Sequence, residues 1–150
     1  VAEAPGGEFL AAPREDVAGR GLVAVDCATE LRMWAEPLHE AARVVVNIDH
    51  HQDNTRFGDL NLVVPGASST AEVIQGVIEA AGWPLTRSIA DALYVGMITD
   101  TGRFGYANTS PGTHRAAAAP TEARVHPATT PRPLTLYHPL ARFLLFGRAR

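Results

Sequence analysis

The stretch "VVVNIDHHQDNTRFGDLN", residues 44–61, decides the fold. It begins as a continuous β-branched run rather than an alternating one. That pattern predicts a strand buried on both faces, as in a parallel sheet. The run ends in Asp49, His50 and His51, a carboxylate and two imidazoles side by side. The carboxyl ends of strands are where open parallel sheets place their ligands.

Upstream, "GLVAVD" (21–26) is a second buried-strand pattern, ending in Asp26. Between the two, "TELRMWAEPLHEAA" (29–42) predicts a helix. Thr29 is its candidate N-cap, and Leu31, Trp34 and Leu38 fall on one face. Pro37 predicts a kink or an early stop. Downstream, "NLVVP" (61–65) predicts a third, shorter strand. "SSTAEVIQGVIEAAG" (68–82) predicts a helix with Val73, Ile74, Val77, Ile78 and Ala81 on one stripe. Ser68 or Ser69 caps its start, with Glu72 placed for a capping box if Ser69 is the cap, and Gly82 stops it. "SIADALYVGMIT" (88–99) predicts another helix, with Ile89, Leu93 and Met97 in register and Asp100 at its end.

Strand, helix, strand, strand, helix, helix is the order of an α/β layered domain. We expect a partial three-layer parallel sheet with flanking helices over residues 21–115. Residues 1–20 read as irregular. Four prolines (120, 127, 131 and 133) and no clear period make 116–135 a Pro-rich irregular segment. Residues 136–150, "LYHPLARFLLFGRAR", recover an apolar pattern and predict a short terminal helix.

A net charge of −3 offers no basic field for long duplex nucleic acid. A single cysteine, Cys27, forms no internal disulfide, which suits a reducing, cytoplasmic setting. No run of about 18 apolar residues predicts a membrane-spanning helix.

Asp26, Asp49, His50, His51 and Asp100 each follow an apolar element, so packing anchors each of them. Carboxylates with imidazoles suit Mn²⁺, Mg²⁺, Fe²⁺ or Zn²⁺. Two such ions about 3.5–4 Å apart clamp a phosphoryl group and supply hydroxide near neutral pH. Read singly, Asp26 could be a helix cap and a strand-end His a loop hydrogen bonder. The three residues 49–51 as a unit, flanked by Asp26 and Asp100, favour a metal site.

"NIDHH" resembles the signature of the DHH phosphoesterases. "VAVDCA" (23–28), "DHHQDNTRFGDLNLVVPGASSTAEVI" (49–74) and "ALYVGMITDTGRFGYANTSPGTH" (92–114) look like that family's second, third and fourth motifs. The nearest subgroup is that of the bacterial oligoribonucleases, or nanoRNases, that also dephosphorylate 3′-phosphoadenosine 5′-phosphate. The resemblance implies a Mn²⁺-dependent phosphoesterase with two ions, Mg²⁺ being an alternative, acting on a short oligoribonucleotide or nucleotide. It implies Asp26, His50 and Asp100 as metal ligands. His51 then faces the substrate phosphate, and Asp49 orients the histidines. Ser69 and Thr70 start a helix that favours an anion. Asn54, Arg56 and Arg103 are candidates for holding phosphate or ribose, a solvated surface role being an equal reading for both arginines. Trp34, Trp83 and Tyr94 read as core, Thr101 and Thr109 as structural, and Cys27 as a small buried residue.

The family's first motif, of the form Asp-x-Asp-x-x-Gly-Ser, has no counterpart in residues 1–25. Neither does the C-terminal substrate domain, so the chain is expected to be a fragment of its parent. With that first strand missing, the strands ending in Asp26 and Asp49 would expose edges, a route to a homodimer. Rival readings within the superfamily are a single-strand exonuclease, a cyclic dinucleotide phosphodiesterase and a manganese pyrophosphatase. Outside it stands a non-catalytic relic with one metal or nucleotide site.

Overall fold

A computed structural model describes residues 19–33 and 36–123. Three parallel strands lie in the order of the chain: β1 (Gly21–Val25), β2 (Val44–Asp49) and β3 (Leu60–Val63). Gly21 pairs with Val44 and Val25 with Ile48; Val46 pairs with Leu60 and Asp49 with Val63. The expected single helix after β1 is instead a 3-10 turn, Glu30–Met33, followed by α1 (Glu36–Ala41). Leu31 does not join a buried face; it is exposed. Trp34 lies outside the described residues.

Beyond β3 come α2 (Thr70–Ala80), α3 (Arg87–Asp100) and α4 (Pro111–Glu122). α2 packs against β2 and also against α3 and α4. Ile78, Ala90, Leu93, Tyr94, Met97, Ile98 and Ala117 form the core between these helices. Tyr94 is therefore a core residue, as expected. Trp83 is not: it is 63% exposed and rims an apolar hollow of about 400 Å³ over Val23, Val25 and Ile48. Among the described residues no strand pairs with the outer edge of β1, and Val23 and Val25 are exposed on its face. β2, expected to expose an edge, is paired on both sides. Its burial alternates: Val45, Asn47 and Asp49 are buried, while Val44, Val46 and Ile48 are half-buried.

The expected break after Arg115 does not occur, since α4 continues through "RAAAAPTE" to Glu122. Alanine is the best helix former, so this run favours a helix until something stops it. Pro120 has no N–H for the carbonyl of Ala116, a loss that ordinarily disrupts a helix. Here the buried Gln75 of α2 donates from Nε2 to that carbonyl at 2.8 Å. The rest of the Pro-rich tract and the expected terminal helix lie outside the described residues.

Candidate metal centre

The site is assembled at the carboxyl end of the sheet. The ladder between β1 and β2 continues one step past β1, with Asp26 N–H donating to Ile48 O at 3.1 Å. Asp26 then turns into the left-handed region (φ 61°), which ends the strand and leaves its side chain half exposed. Aspartate tolerates this conformation better than most residues. Such backbone strain clusters at functional sites.

Asp49 ends β2 fully buried, with a carboxylate that is thoroughly engaged. Its Oδ1 accepts from His50 N–H (2.7 Å), His51 N–H (3.3 Å) and His51 Nδ1 (2.7 Å). Its Oδ2 accepts from Asn54 Nδ2 at 2.5 Å. Burial pushes this carboxyl upward, but the four hydrogen bonds outweigh it and hold Asp49 below the usual carboxylate range. The same contact raises the His51 imidazole above its ordinary value, against an opposing effect of burial. Asp49 thus fixes both histidines and has little lone-pair capacity left over.

His50 is held from the other side. Its Nδ1 lies 3.2 Å from the carbonyl of Ala67, which can only accept, so Nδ1 carries a proton and Nε2 is the nitrogen turned to the carboxylates. Nε2 is 3.7 Å from Asp26 Oδ1 and 3.7 Å from Asp100 Oδ2. These separations are too long for hydrogen bonds. They suit one imidazole nitrogen and two carboxylates arranged about a common cation. A backbone carbonyl on the far nitrogen is how metal-binding histidines are ordinarily oriented. Burial, and next the nearby Asp26 carboxylate, push the Asp100 carboxyl upward. A cation between the two would relieve that repulsion. Ligand atoms of Asp26, Asp49, His50 and His51 all lie within 4.8 Å of one another, the grouping able to hold an ion among the described residues. Asp100 joins it through His50. The nitrogen and oxygen donor set fits Mn²⁺, Fe²⁺ or Zn²⁺.

Several residues singled out for substrate serve the site from within. Asn54 turns inward, its two Nδ2 hydrogens shared among Asp49 Oδ2, Asn47 Oδ1 (2.8 Å) and Cys27 O (3.1 Å), while its own Oδ1 accepts from Arg56 N–H. Its amide braces Asp49 and is not left for phosphate or ribose. Ser69 is the buried N-cap of α2, accepting from Glu72 N–H at 3.2 Å. Glu72 reaches Ser68 rather than the cap residue, accepting from its N–H (2.9 Å) and hydroxyl (2.6 Å). The buried Thr70 donates its hydroxyl to Asp26 Oδ1 at 2.8 Å. Arg56 (φ 54°) and Arg103 (φ 61°) are exposed on loops next to the site residues. Cys27 is partly buried; burial, Asp26 and Asp49 push its thiol upward, away from nucleophile chemistry.

Sequence reasoning missed two asparagines. Asn47 is fully buried under the site and donates to Cys27 O at 3.1 Å. Asn108 spans two elements of the site. A polar residue at a buried-face position of β2 was the available signal for Asn47.

The family model for the DHH family N-terminal domain matches residues 8–97, more than half of the chain. The chain belongs to the DHH family. The match takes in Asp26 and residues 49–51 and stops short of Asp100. Over 100 residues the chain is 41% identical to a bifunctional oligoribonuclease and PAP phosphatase NrnA of Thermus thermophilus, covering 67% of this chain and 30% of that one. A protein of the same name from Bacillus subtilis is 32% identical over 106 residues, covering 69% and 34%. The chain therefore spans about a third of the length of these curated relatives. Its fold also matches the crystal structure of an exopolyphosphatase-related protein from Bacteroides fragilis, with a TM-score of 0.76. At 20% identity, over 85% of this chain and 39% of the other, that likeness concerns the DHH fold alone. Among the described residues no helix is long and apolar enough to cross a membrane.

Proposed function

We propose that this chain carries the Asp-His-His half of a metal-dependent phosphoesterase site. The substrate class is a short oligoribonucleotide or 3′-phosphoadenosine 5′-phosphate, in a cytoplasmic setting. The observation that carries the reading is His50 Nε2, the ring nitrogen left over by the Nδ1 contact with Ala67 O, 3.7 Å from the carboxylates of both Asp26 and Asp100. The names of the NrnA relatives support the substrate class.

Asp26, His50 and Asp100 would hold the cation, Mn²⁺ being our choice from the donor set. A divalent ion held there supplies charge neutralisation for phosphate oxygens and lowers the pKa of water. The remaining roles belong to side chains of this chain. Thr70 holds the Asp26 carboxylate through its hydroxyl. Asp49 keeps the proton of His51 on Nδ1 and favours the imidazolium. His51 can then present Nε2–H to a phosphate oxygen, stabilising its charge or protonating the leaving oxygen. Arg56 and Arg103 are the candidates for nucleotide phosphate. Donors for a second ion would come from outside the described residues.

Calorimetry with Mn²⁺, followed by incubation with a diadenylate and with 3′-phosphoadenosine 5′-phosphate, tests the reading. We expect one Mn²⁺ per chain, bound measurably more weakly in Asp100→Asn. Mononucleotide release, or orthophosphate from the bisphosphate, supports the phosphoesterase. Binding without turnover supports the second reading, a one-metal relic, which the single donor cluster among the described residues favours. Absence of binding contradicts both.

A further inference from the structure

We propose that Asn108 is a positioning residue for the metal centre, setting the distance between Asp100 and His50. The inference rests on the metal reading above and assigns a role to a residue that touches none of the ligand atoms.

The geometry starts from the turn after α3. Gly102, Arg103 and Phe104 are consecutive left-handed residues (φ 54°, 61° and 63°). Two of them are not glycine, so the turn carries strain of the kind that the surroundings must hold in place. Thr101, fully buried, does part of this by accepting from Phe104 N–H (3.0 Å) and donating to Met97 O (2.6 Å). Gly102 allows the turn to close: a Cβ there would collide with the Tyr106 ring. The reversal brings residue 108 back over the end of α3.

There the Asn108 amide donates both of its hydrogens to backbone carbonyls. One goes to Asp100 O at 3.1 Å and the other to Ser68 O at 3.0 Å. The two acceptors fix the amide's orientation, because a swapped oxygen would face two carbonyl oxygens. Ser68 directly follows Ala67, whose carbonyl orients His50 Nδ1. Ser68 is itself clamped by Glu72, which also accepts from Thr113 of α4 at 3.1 Å. Asn108 is thus the clip between the peptide bearing one carboxylate ligand and the loop that aims the imidazole ligand. Groups one step behind metal ligands typically change affinity by 10- to 100-fold when lost.

The test is a Mn²⁺ titration of the whole chain and of four variants, with far-UV circular dichroism and urea midpoints as fold controls. Asn108→Ala is expected to keep its helical signal and lose about 10- to 100-fold in Mn²⁺ affinity. Asn108→Ser, which keeps one donor, is expected to fall between. Asp100→Asn alone gives the reference loss. Combined with Asn108→Ala it is expected to lose less than the sum of the two, because both act on one ligand. A structural role alone would lower the urea midpoint and leave affinity in the folded variants unchanged; that result, or strict additivity in the double variant, overturns the proposal. No Mn²⁺ binding by the unaltered chain overturns the metal reading and this inference together. Normal binding by the chain and by both Asn108 variants overturns this inference only.

Discussion

Two ends of the same small sheet are built on opposite terms. At the carboxyl end of β2, the buried Asp49 has a partner for each oxygen, and next to it His50 Nε2 faces Asp26 and Asp100. On the outer face of β1, Val23, Val25 and Trp83 are exposed around an apolar hollow with nothing described over it. The network around Asp49 is completed within residues 47–70, and Asp26 and Asp100 reach it from other elements. The contrast teaches that the donor cluster holds together through its own hydrogen bonds, while the described residues leave part of the sheet uncovered.

Removing Asp49 should break the ordered end most severely. Asp49→Ala strands His51 Nδ1, two backbone N–H groups and Asn54. We expect a loss of about 3–5 kcal/mol in urea unfolding, the range for breaking a buried pair. A loss under about 1 kcal/mol would show that the network contributes little.

Gly58→Ala tests how tightly the loop after His51 is pressed to the sheet. Its Cβ would meet Leu60 O at 2.9 Å, and Asn47 N and Val45 O at 3.0 Å, all backbone atoms. Overpacking of this kind costs about 1–3 kcal/mol and should appear as a lower melting temperature.

The metal-free protein should also have a pH window. Asp49 sits below its ordinary value, so its contribution is present above about pH 4 and is lost as pH falls through the folded value. His51 sits above its ordinary value, so its contribution is full below about pH 6.5 and is lost as pH rises through the folded value. Urea midpoints should therefore peak between those limits, and His51→Gln should remove the decline on the alkaline side.

The smallest effect belongs to the open face. Val23→Thr should change stability by no more than about 0.5 kcal/mol, as surface substitutions do. It should nevertheless weaken self-association in sedimentation velocity if β1 is a sticky edge.

The contrast also explains what was legible in the sequence. β1, β2, α2 and α3 were readable because apolar runs and caps are local signals. The placement of Asp26, residues 49–51 and Asp100 at the ends of apolar elements was readable for the same reason. Asn54 was misread because a loop asparagine beside an anion site and one bracing a carboxylate look alike without the third dimension. Pro120 was misread as a breaker because the group that replaces its hydrogen bond, Gln75, comes from another helix. Trp83 was misread because large aromatics are usually core, and the cover that would make it so is not described. Asn108 acts through carbonyls 8 and 40 residues away, a reach no local pattern encodes.

The central claim is that Asp26, His50 and Asp100 converge on a cation through His50 Nε2. Ring ¹⁵N NMR of the histidines during a Zn²⁺ titration, a diamagnetic stand-in for Mn²⁺, tests it most directly. The account predicts that His50 Nε2 shifts to a metal-bound position with one equivalent, while Nδ1 keeps its proton on Ala67 O and His39 does not move. An unmoved His50, or a metal bound instead through Nδ1, would contradict it.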